Sequence, residues 1–331
     1  SRVLPVHEYL PGHDGPQLAA SRMTEEMAAS VIDDFESAID TYAELDVIVA
    51  HHANLSTVAA ARVAERRGIP YVVFAHGTGI EPRNHGGYSD ALWEQIAASL
   101  MGARGILVTT EYVRDELVRP LVDIPCERFQ VLPCGIDLQE FRPTTKFTMR
   151  QKYDLPDRYV ICPGALTEVK GPQNVVAASE QYADLAPTIF IGDGDLRPTL
   201  EAELAGNGRF LGFVSESDKA GLINEATVLT AAPNKREHFG IIYAEALAAG
   251  TVPVAYRGGG VDSIVTPHVG ILTDRTPLAL GAGIRDRLEN PVRTRLMSIQ
   301  ARRRATTHYD NDILSRRFAD WLSDVSGIAT P

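Results

Sequence analysis

Residues 228–250 read VLTAAPNKREHFGIIYAEALAAG and contain a strand, a loop and a helix in succession. The apolar run Val228–Ala231 lacks strict polar alternation, which is typical of a strand buried on both faces of a parallel sheet. The segment Ile241–Ala249 predicts a helix, and Gly250 is a favourable residue at which to end it. A strand that leads through a loop into a helix is the repeating unit of a doubly wound α/β fold.

The same alternation of apolar runs and helical patterns continues along the chain. Further strands are predicted at Val47–Ala50, Tyr71–Ala75, Gly105–Thr109, Gln130–Leu132, Tyr159–Cys162, Thr188–Ile191, Arg209–Leu211, Pro253–Ala255 and Gly270–Leu272. Further helices are predicted at Leu55–Arg67, Asp90–Met101 and Gly171–Tyr182. Because crossovers between parallel strands are right-handed, functional loops are expected at the carboxyl ends of the strands.

The alternation is interrupted once, over Asp137–Pro156, where prolines and threonines replace the periodic pattern. At 331 residues the chain is long enough for two domains. We therefore predict an N-terminal domain over residues 1–142 and a second domain over residues 143–307. Residues 308–331 include the amphipathic segment His308–Gly327, which predicts a helix that packs back toward the first domain.

Charge is distributed unevenly between these domains. Residues 1–140 contain 10 Lys and Arg against 21 Asp and Glu, whereas the remaining residues contain 22 of each. An acidic surface repels phosphate backbones and anionic lipid headgroups. We expect no nucleic-acid partner and no docking to an anionic membrane.

Cysteine spacing and hydropathy give the expected compartment. Cys126, Cys134 and Cys162 show no CxxC spacing, which favours reduced structural thiols over a metal or disulfide role. No apolar run reaches the ~18 residues of a membrane span, and Ser1–Leu10 lacks the pattern of a signal peptide. We expect a cytoplasmic protein. Because the chain begins with Ser rather than Met, upstream processing or truncation is compatible with the sequence.

The loop Glu237-His-Phe-Gly240 and the helix that follows it contain candidate ligand-binding groups. Gly240 allows close approach of a ligand to the helix start, where free N–H groups and the helix dipole suit a phosphate. A carboxylate beside a phosphate is useful when it accepts hydrogen bonds from neutral hydroxyls, which sugars provide. Glu237 and Glu245 therefore indicate a site for a phosphorylated sugar. Solvated surface glutamates are the competing interpretation.

A lysine follows the strand Tyr159–Cys162. Lys170 lies just before Gly171 and Pro172, at the predicted start of a helix, where it would clamp a diphosphate. The order of Gly and Lys is reversed relative to a P-loop, so that motif is excluded. An ordinary surface lysine is the competing interpretation.

A third loop reads Gly192-Asp-Gly-Asp195 after the strand Thr188–Ile191. Two glycines at a strand end favour a tight turn that a ligand can approach. The pair Asp193 and Asp195 also matches an acid-x-acid metal motif, but no further oxygen ligands are evident nearby. We predict no metal and no cofactor.

Taken in order, these segments resemble the retaining glycosyltransferases of family 4, group 1, which have the GT-B fold. The resemblance covers about Leu45 to Thr273. It is carried by Asp46–His52, His76-Gly77, Pro133–Asp137 with Phe141 and Pro143, Lys170-Gly171, Gly192–Gly194, Gly212–Val214, Glu237 with Glu245, and Gly258–Gly260 near Asp262. The resemblance implies an α/β protein of two Rossmann-like, doubly wound parallel-sheet domains facing a cleft.

The resemblance also implies roles for single residues. Lys170 would bind the diphosphate of a UDP- or GDP-type sugar, Glu237 the hydroxyls of the transferred hexose, and His76 would project toward that sugar. The implied catalytic residues are thus His76, Lys170 and Glu237. The other implied donor-binding residues are Gly194 near the sugar-nucleotide, Gly212, Phe213 and Val214 beside the base, Phe239, Gly240, Ile241 and Ile242 around the terminal phosphate, and Glu245 at the ribose.

Two departures from the family pattern stand out. Ala165 occupies the position at which the family has an arginine, which weakens the expected grip on the diphosphate unless Arg197 or Arg236 substitutes. We also expect the first two or three elements of the family's N-terminal domain to be absent because the chain starts late, and Leu10–Gly15 as a short version of the family's glycine-rich loop is the alternative. An incomplete sheet exposes an edge, so a second chain is an expected partner there.

The implied activity is metal-independent transfer of a hexosyl group, with retention, to an acceptor hydroxyl. The acidic N-terminal domain favours a neutral or cationic soluble acceptor. Two alternatives remain, and a third is set aside. The fold also serves sugar-nucleotide epimerases and phosphorylases, and Ala165 favours a non-catalytic or partner-dependent binder of nucleotide-sugar. The segment Ala75–Gly79 resembles the oxyanion loop of an α/β-hydrolase, but the chain has no GxSxG nucleophile.

Overall fold

The computed structural model describes residues 4–6, for which only the backbone is given, and residues 17–327. The loop predicted at Leu10–Gly15 lies outside the described residues. The chain forms two compact units. Unit 1 consists of residues 1–133 together with 316–331, and unit 2 consists of residues 134–315. This division falls between Pro133 and Cys134, whereas the sequence analysis places it after Arg142.

Unit 1 is built on a parallel sheet of four strands in the order β3-β4-β5-β6. A separate parallel pair consists of β1 and β2. The strands are β1 (Leu4–Val6), β2 (Gln17–Ala19), β3 (Ile48–His51), β4 (Tyr71–Ala75), β5 (Ile106–Val108) and β6 (Phe129–Val131). The helices are α1 (Glu25–Asp40), α2 (Leu55–Arg67) and α3 (Asp90–Gly102).

Local sequence explains how these helices begin and end. The side chains of Thr24, Asn54 and Ser89 accept hydrogen bonds from the first turns of α1, α2 and α3. Gly68 ends α2 in the left-handed conformation, with φ of +68°. Strand β4 is almost wholly buried, which agrees with its unbroken apolar sequence.

Unit 2 contains a parallel sheet of six strands in the order β12-β11-β10-β7-β8-β9. Its strands are β7 (Val160–Pro163), β8 (Thr188–Ile191), β9 (Gly208–Phe210), β10 (Val228–Ala231), β11 (Val252–Tyr256) and β12 (Ile271–Thr273). Its helices are α4 (Thr148–Tyr153), α5 (Pro172–Ser179), α6 (Arg197–Leu204), α7 (Glu216–Glu225), α8 (Ile241–Ala249), α9 (Val261–Ile264), α10 (Pro277–Glu289) and α11 (Pro291–His308).

Two hydrophobic clusters cover the two faces of the unit 2 sheet. One contains Tyr159, Tyr243 and Leu247, and the other contains Val176, Tyr182 and Phe190. Helix α8 is buried over most of its length, which explains why its sequence is apolar on all sides rather than amphipathic.

The final helix, α12 (Asn311–Ser326), carries the chain back into unit 1 from Arg316 onward. There Trp321 packs so closely on Gly105 that a Cβ at this position would lie 2.7 Å from the indole ring. Among the residues 17–327, no helix is both long enough and apolar enough to cross a membrane.

The α/β fold of two parallel-sheet units is confirmed. Strands Tyr71–Ala75, Thr188–Ile191 and Val228–Ala231 have the predicted bounds, and the other predicted strands are present with each end shifted by one residue. Helices α2 and α8 also have the predicted bounds. The predicted helix Gly171–Tyr182 is shorter, because regular α-helix ends at Ser179 in α5.

Candidate functional site at the carboxyl edge of the second sheet

The strand order of unit 2 places a crevice between β7 and β10. From β7 the chain proceeds through β8 to β9 on one side, and then through β10 to β12 on the other. The connections that leave β7 and β10 therefore diverge, and ligands of open α/β sheets bind at such a switch point. Lys170 follows β7 and Glu237 follows β10. We call Lys170, Glu237 and Gly240–Ile242 the switch-point site.

Lys170 is held by a loop that only glycine can close. Gly171 adopts φ of +64° at the start of α5, and a Cβ there would overlap the carbonyl oxygen of Ala232. The Lys170 N–H donates to the carbonyl of Thr167 at 3.1 Å. In this position the Lys170 Nζ lies 3.2 Å from Glu237 Oε1.

Two asparagines fasten the loops after β7 and β10 to each other. The Asn174 side chain donates to the Ala232 carbonyl and to Asn234 Oδ1, each at 2.9 Å. Asn234 in turn donates through its backbone N–H to Val169 and through its side chain to the Glu168 carbonyl. Neither asparagine was predicted as a site residue. Asn174 lies in the first turn of α5 and Asn234 in the loop after β10, and no local pattern joins them.

Glu237 is supported from beneath by the glycine run Gly258–Gly260. Glu237 and Gly259 form a parallel bridge, and the Gly260 N–H donates to the Glu237 carbonyl at 2.8 Å. A Cβ on Gly260 would overlap the His238 carbonyl oxygen, so this approach requires glycine. The Asp262 carboxylate accepts from the Gly258 N–H at 2.7 Å and fixes the run.

The switch-point site opens into a cavity of about 120 Å³. The cavity is lined by Lys170, Glu237, Gly240, Ile241 and Ile242, together with Ala165. Gly240 adopts φ of +91° and begins α8, whose first N–H groups have no partner within the helix. A cation, a carboxylate and a helix N-terminus thus converge on one space. This combination suits an anion that carries hydroxyl groups.

Glu245 lies deeper, outside the residues that line this cavity. Glu245 is 5% exposed, and its Oε1 lies 3.3 Å from the Nζ of Lys219 on α7. Its Oε2 is buried without a hydrogen-bond partner among the described residues. Burial raises the pKa of this carboxyl, and Lys219 opposes the shift. Sequence reasoning missed Lys219, because 26 positions separate it from Glu245.

The other predicted donor-binding residues are placed as follows. Gly194 packs against the loop after β7, and its N–H donates to Asp193 Oδ1 at 2.8 Å. Gly212 adopts φ of +73°, and its carbonyl accepts from the Gly192 N–H. Phe213 is 82% exposed, whereas Val214 packs partly on the core. The Phe239 ring is buried against Tyr309, which leaves only its backbone for a ligand.

The two arginines that could replace the family's cation at Ala165 differ in their contacts. The Arg197 guanidinium is bound by Asp193 and Glu201, each at 2.8 Å. The Gly194 N–H and Arg197 hold the pKa of the Asp193 carboxyl below its usual value. Arg236 is exposed, and its side chain lies beside Gly258.

His76 belongs to a histidine cluster in unit 1, formed with His51 and His52. The His51 Nδ1 lies 3.0 Å from the His76 Nε2, and the His76 ring stacks on Phe74 with centroids 4.2 Å apart. His52 adopts φ of +69°, which is unusual for a residue other than glycine. All three histidines lie at the carboxyl ends of β3 and β4. His51 and His52 also border a cavity of about 450 Å³ beside β3.

The geometry defines a class, an α/β protein of two parallel-sheet units with a switch-point site whose charges suit an anion. The chain matches two family models. Residues 145–304 match glycosyl transferases group 1, and residues 14–140 match glycosyltransferase family 4. Together the two matches extend over most of the chain.

Relatives and solved structures agree with these matches. The chain is 28% identical to D-inositol 3-phosphate glycosyltransferase 1 of Catenulispora acidiphila over 86% of its length and 73% of the relative. It is 31% identical over 60% of its length to GDP-mannose-dependent alpha-(1-6)-phosphatidylinositol dimannoside mannosyltransferase of Mycobacterium tuberculosis, of which it spans 52%. The chain thus spans between half and three quarters of these relatives.

Two solved structures share the fold at low identity. Anabaena HepE in complex with UDP matches 90% of this chain and 82% of its own at a TM-score of 0.76 and 19% identity. Sucrose-phosphate synthase from Thermosynechococcus elongatus matches 97% and 83% at a TM-score of 0.80 and 19% identity. The chain has the GT-B fold and belongs to the group 1, family 4 glycosyltransferases.

Proposed function

We propose that the protein transfers a hexosyl group from a nucleoside-diphosphate sugar to an acceptor hydroxyl, with retention at the anomeric carbon. The observation that carries this proposal is the switch-point site. It combines the Lys170–Glu237 pair at 3.2 Å with the start of α8 in one cavity. A diphosphate leaving group and a polyhydroxylated sugar supply the complementary charges and donors.

In this proposal the diphosphate accepts from the N–H groups of Ile241 and Ile242 and from Lys170, which turns from Glu237 toward it. These groups stabilise the negative charge that develops as the anomeric carbon–oxygen bond breaks. The acceptor hydroxyl attacks that carbon from the same face, and its proton passes to the departing phosphate oxygen. Glu237 accepts hydrogen bonds from the sugar hydroxyls, and no protein nucleophile takes part. Because Lys170 and α8 supply the positive charge, transfer is expected to persist in a metal chelator.

The donor is of the UDP or GDP type. HepE was solved with UDP, and the mycobacterial relative is named as GDP-mannose-dependent. A thermal-shift screen of UDP, GDP and ADP and their hexose conjugates tests this proposal, because a ligand that binds the native state raises Tm by mass action. A rise with one base only is expected. Absence of any shift at millimolar concentration would contradict the site assignment.

The acceptor is proposed to bind unit 1, where His76 and the loop Gly79–Tyr88 follow β4. We include polyols and inositol phosphates in the acceptor panel, because one relative is named for D-inositol 3-phosphate. The acidity of residues 1–140 favours neutral or cationic acceptors among them. Cytoplasmic location stays part of this proposal.

One observation favours a second candidate, a non-catalytic or partner-dependent binder of nucleotide-sugar. Ala165 lines the cavity at the position where the family pattern has an arginine. A binder would bind the donor without releasing nucleoside diphosphate, whatever acceptor is added. Product analysis of the donor without acceptor also separates transfer from epimerisation or phosphorolysis.

A further inference from the structure

The outer face of α11 carries three exposed aliphatic residues. Val292, Leu296 and Ile299 are 74%, 61% and 53% exposed. Their spacing of four and then three residues places them on one side of the helix. Aliphatic side chains in a continuous exposed stripe are characteristic of a surface that contacts a partner.

The orientation of α11 is fixed by its opposite side. Thr294, Ala301 and Ala305 are buried. Arg302 donates to the carbonyls of Phe141 and Ala248 at 2.7 and 2.6 Å, and Arg304 donates to the Ser263 carbonyl at 2.7 Å. Rotation of the helix to bury Leu296 would break these bonds. The aliphatic stripe is therefore a stable feature of this surface.

The same outer face is basic. The sequence of α11 contains five arginines and no acidic residue. Arg293, Arg295 and Arg303 are exposed and make no ion pair within residues 17–327, whereas other surface arginines of unit 2, such as Arg285, bind carboxylates. We call Val292, Leu296, Ile299, Arg293, Arg295 and Arg303 the α11 outer face.

We propose that the α11 outer face docks on an anionic lipid bilayer, with the helix parallel to the membrane plane. Aliphatic side chains at helical spacing enter the boundary between headgroups and acyl chains, and the flanking arginines pair with anionic headgroups. A nucleic acid would use the arginines but leave the aliphatic stripe exposed to water. The lipid surface accounts for both features.

The acidic charge of the chain does not oppose this docking at physiological ionic strength. The acidic excess lies within residues 1–140, and α11 belongs to the part of the chain in which the charges balance. Charges separated by more than about 8 Å are largely screened in 0.15 M salt. The expectation that the protein avoids anionic membranes considers net charge alone. The local charge of α11 is opposite in sign.

Sedimentation with vesicles tests the proposal on the full chain. Vesicles of phosphatidylcholine alone are compared with vesicles that contain phosphatidylglycerol in addition, in 0.05 M and 0.5 M salt. We expect binding to the anionic vesicles only, and weaker binding in high salt. Arg295→Gln/Arg303→Gln should lower the partition coefficient about tenfold or more, because each arginine near an anionic surface contributes about fivefold.

Matched variants separate local from general effects. Arg22→Gln/Arg104→Gln removes the same charge from exposed positions in unit 1 and should leave binding within about twofold. Leu296→Ser should weaken binding severalfold, whereas Leu278→Ser, which alters an equally exposed leucine on α10, should not. All of these side chains are exposed, so circular dichroism and Tm should match the wild type.

Three results would overturn the proposal. Binding that is absent, or that is equal for the two arginine variants, would remove the local role of α11. A wild-type dimer that Leu296→Ser converts to a monomer, without vesicle binding by either, would assign the face to a second copy of the chain. A nucleic acid that binds tightly and is lost only in Arg295→Gln/Arg303→Gln would likewise replace the lipid.

Discussion

Both units have candidate functional side chains at the carboxyl edge of a parallel sheet, but the types of side chain differ. In unit 2 the carboxyl edge has an ion pair, Lys170 with Glu237, beside the start of α8. In unit 1 the corresponding edge of β3 and β4 has a cluster of aromatic rings, in which His76 stacks on His51 and on Phe74. The first edge suits a multiply charged ligand. The second suits a neutral, hydroxylated one.

The difference in support is equally instructive. In unit 2, Gly171 and Gly260 have no side chain and therefore allow the backbones of neighbouring loops to lie in direct contact. The cluster in unit 1 depends on ring stacking and on side-chain hydrogen bonds such as Ser56 to the His51 carbonyl. We therefore expect the switch-point site to be the more rigid of the two. A rigid arrangement of donors would stabilise developing negative charge without having to reorganise.

The largest effect is expected from removing the charges of the switch-point site. Lys170→Ala and Glu237→Ala should each lower turnover between about tenfold and a thousandfold, as loss of a preorganised contact to the reacting group does. Release of nucleoside diphosphate measures it. Lys146→Ala and Glu168→Ala, which alter exposed residues outside the cavity, are the controls. Wild-type turnover in both site variants would refute the assignment.

The rigidity of the loops can be tested with two glycines that share a left-handed φ. Gly171→Ala should destabilise the protein by about 3 kcal/mol, because strain adds to overlap with the Ala232 carbonyl. Gly68→Ala, with φ of +68° and no atom within 4 Å, should cost only about 1 kcal/mol. Urea unfolding gives both values. Equal costs would mean that the loop yields easily.

The division of labour between the units predicts a split in kinetic constants for His76. His76→Ala should lower turnover about tenfold while leaving the Kd of the nucleoside diphosphate within about twofold, because the predicted contact is to the sugar and not to the diphosphate. Tyr42→Ala, which alters an exposed aromatic residue of the same unit outside the proposed acceptor loop, should change neither. A large loss of nucleotide affinity in His76→Ala would place the diphosphate against unit 1 instead.

The smallest effect concerns the pH dependence of nucleotide binding. Burial raises the pKa of Glu245. If this carboxylate accepts from the donor ribose, as the family resemblance implies, binding falls as pH drops through that raised pKa, at higher pH than for an exposed glutamate. Lys219→Met removes the group that lowers this pKa, and the loss should therefore begin at still higher pH. Calorimetric titration across the pH range measures it, with Lys146→Met as control. If the pH dependence of nucleotide affinity were the same in Lys219→Met as in the wild type, the proposed contact of Glu245 with the ribose would be contradicted.

Some parts of the site could be predicted from the sequence and others could not. The strand before each loop is a local apolar pattern, so the carboxyl-edge positions of Lys170, Glu237 and His76 follow from it. Two contacts join residues that are far apart in the chain: the hydrogen bond between Asn174 and Asn234, and the ion pair between Lys219 and Glu245. Neither is visible as a local pattern. The roles of these residues in catalysis stay predictions.

The exposed aliphatic stripe of α11 likewise could not be predicted from the local sequence pattern. Leucine, valine and isoleucine at helical spacing usually predict a buried face. Here the buried side is built instead from alanine, threonine and two inward arginines. Only the packing of α11 could reveal which of its sides meets water.

By itself the sequence determined the alternation of strands and helices, the glycines that close the ligand loops and the resemblance that named the family. These depend on neighbours a few residues apart, for which periodicity and backbone preference are decisive. The tertiary structure decided that β7 lies beside β10, that Lys170 meets Glu237, and that α11 presents its aliphatic side outward. Those outcomes depend on contacts between distant segments, whose energies no local pattern records.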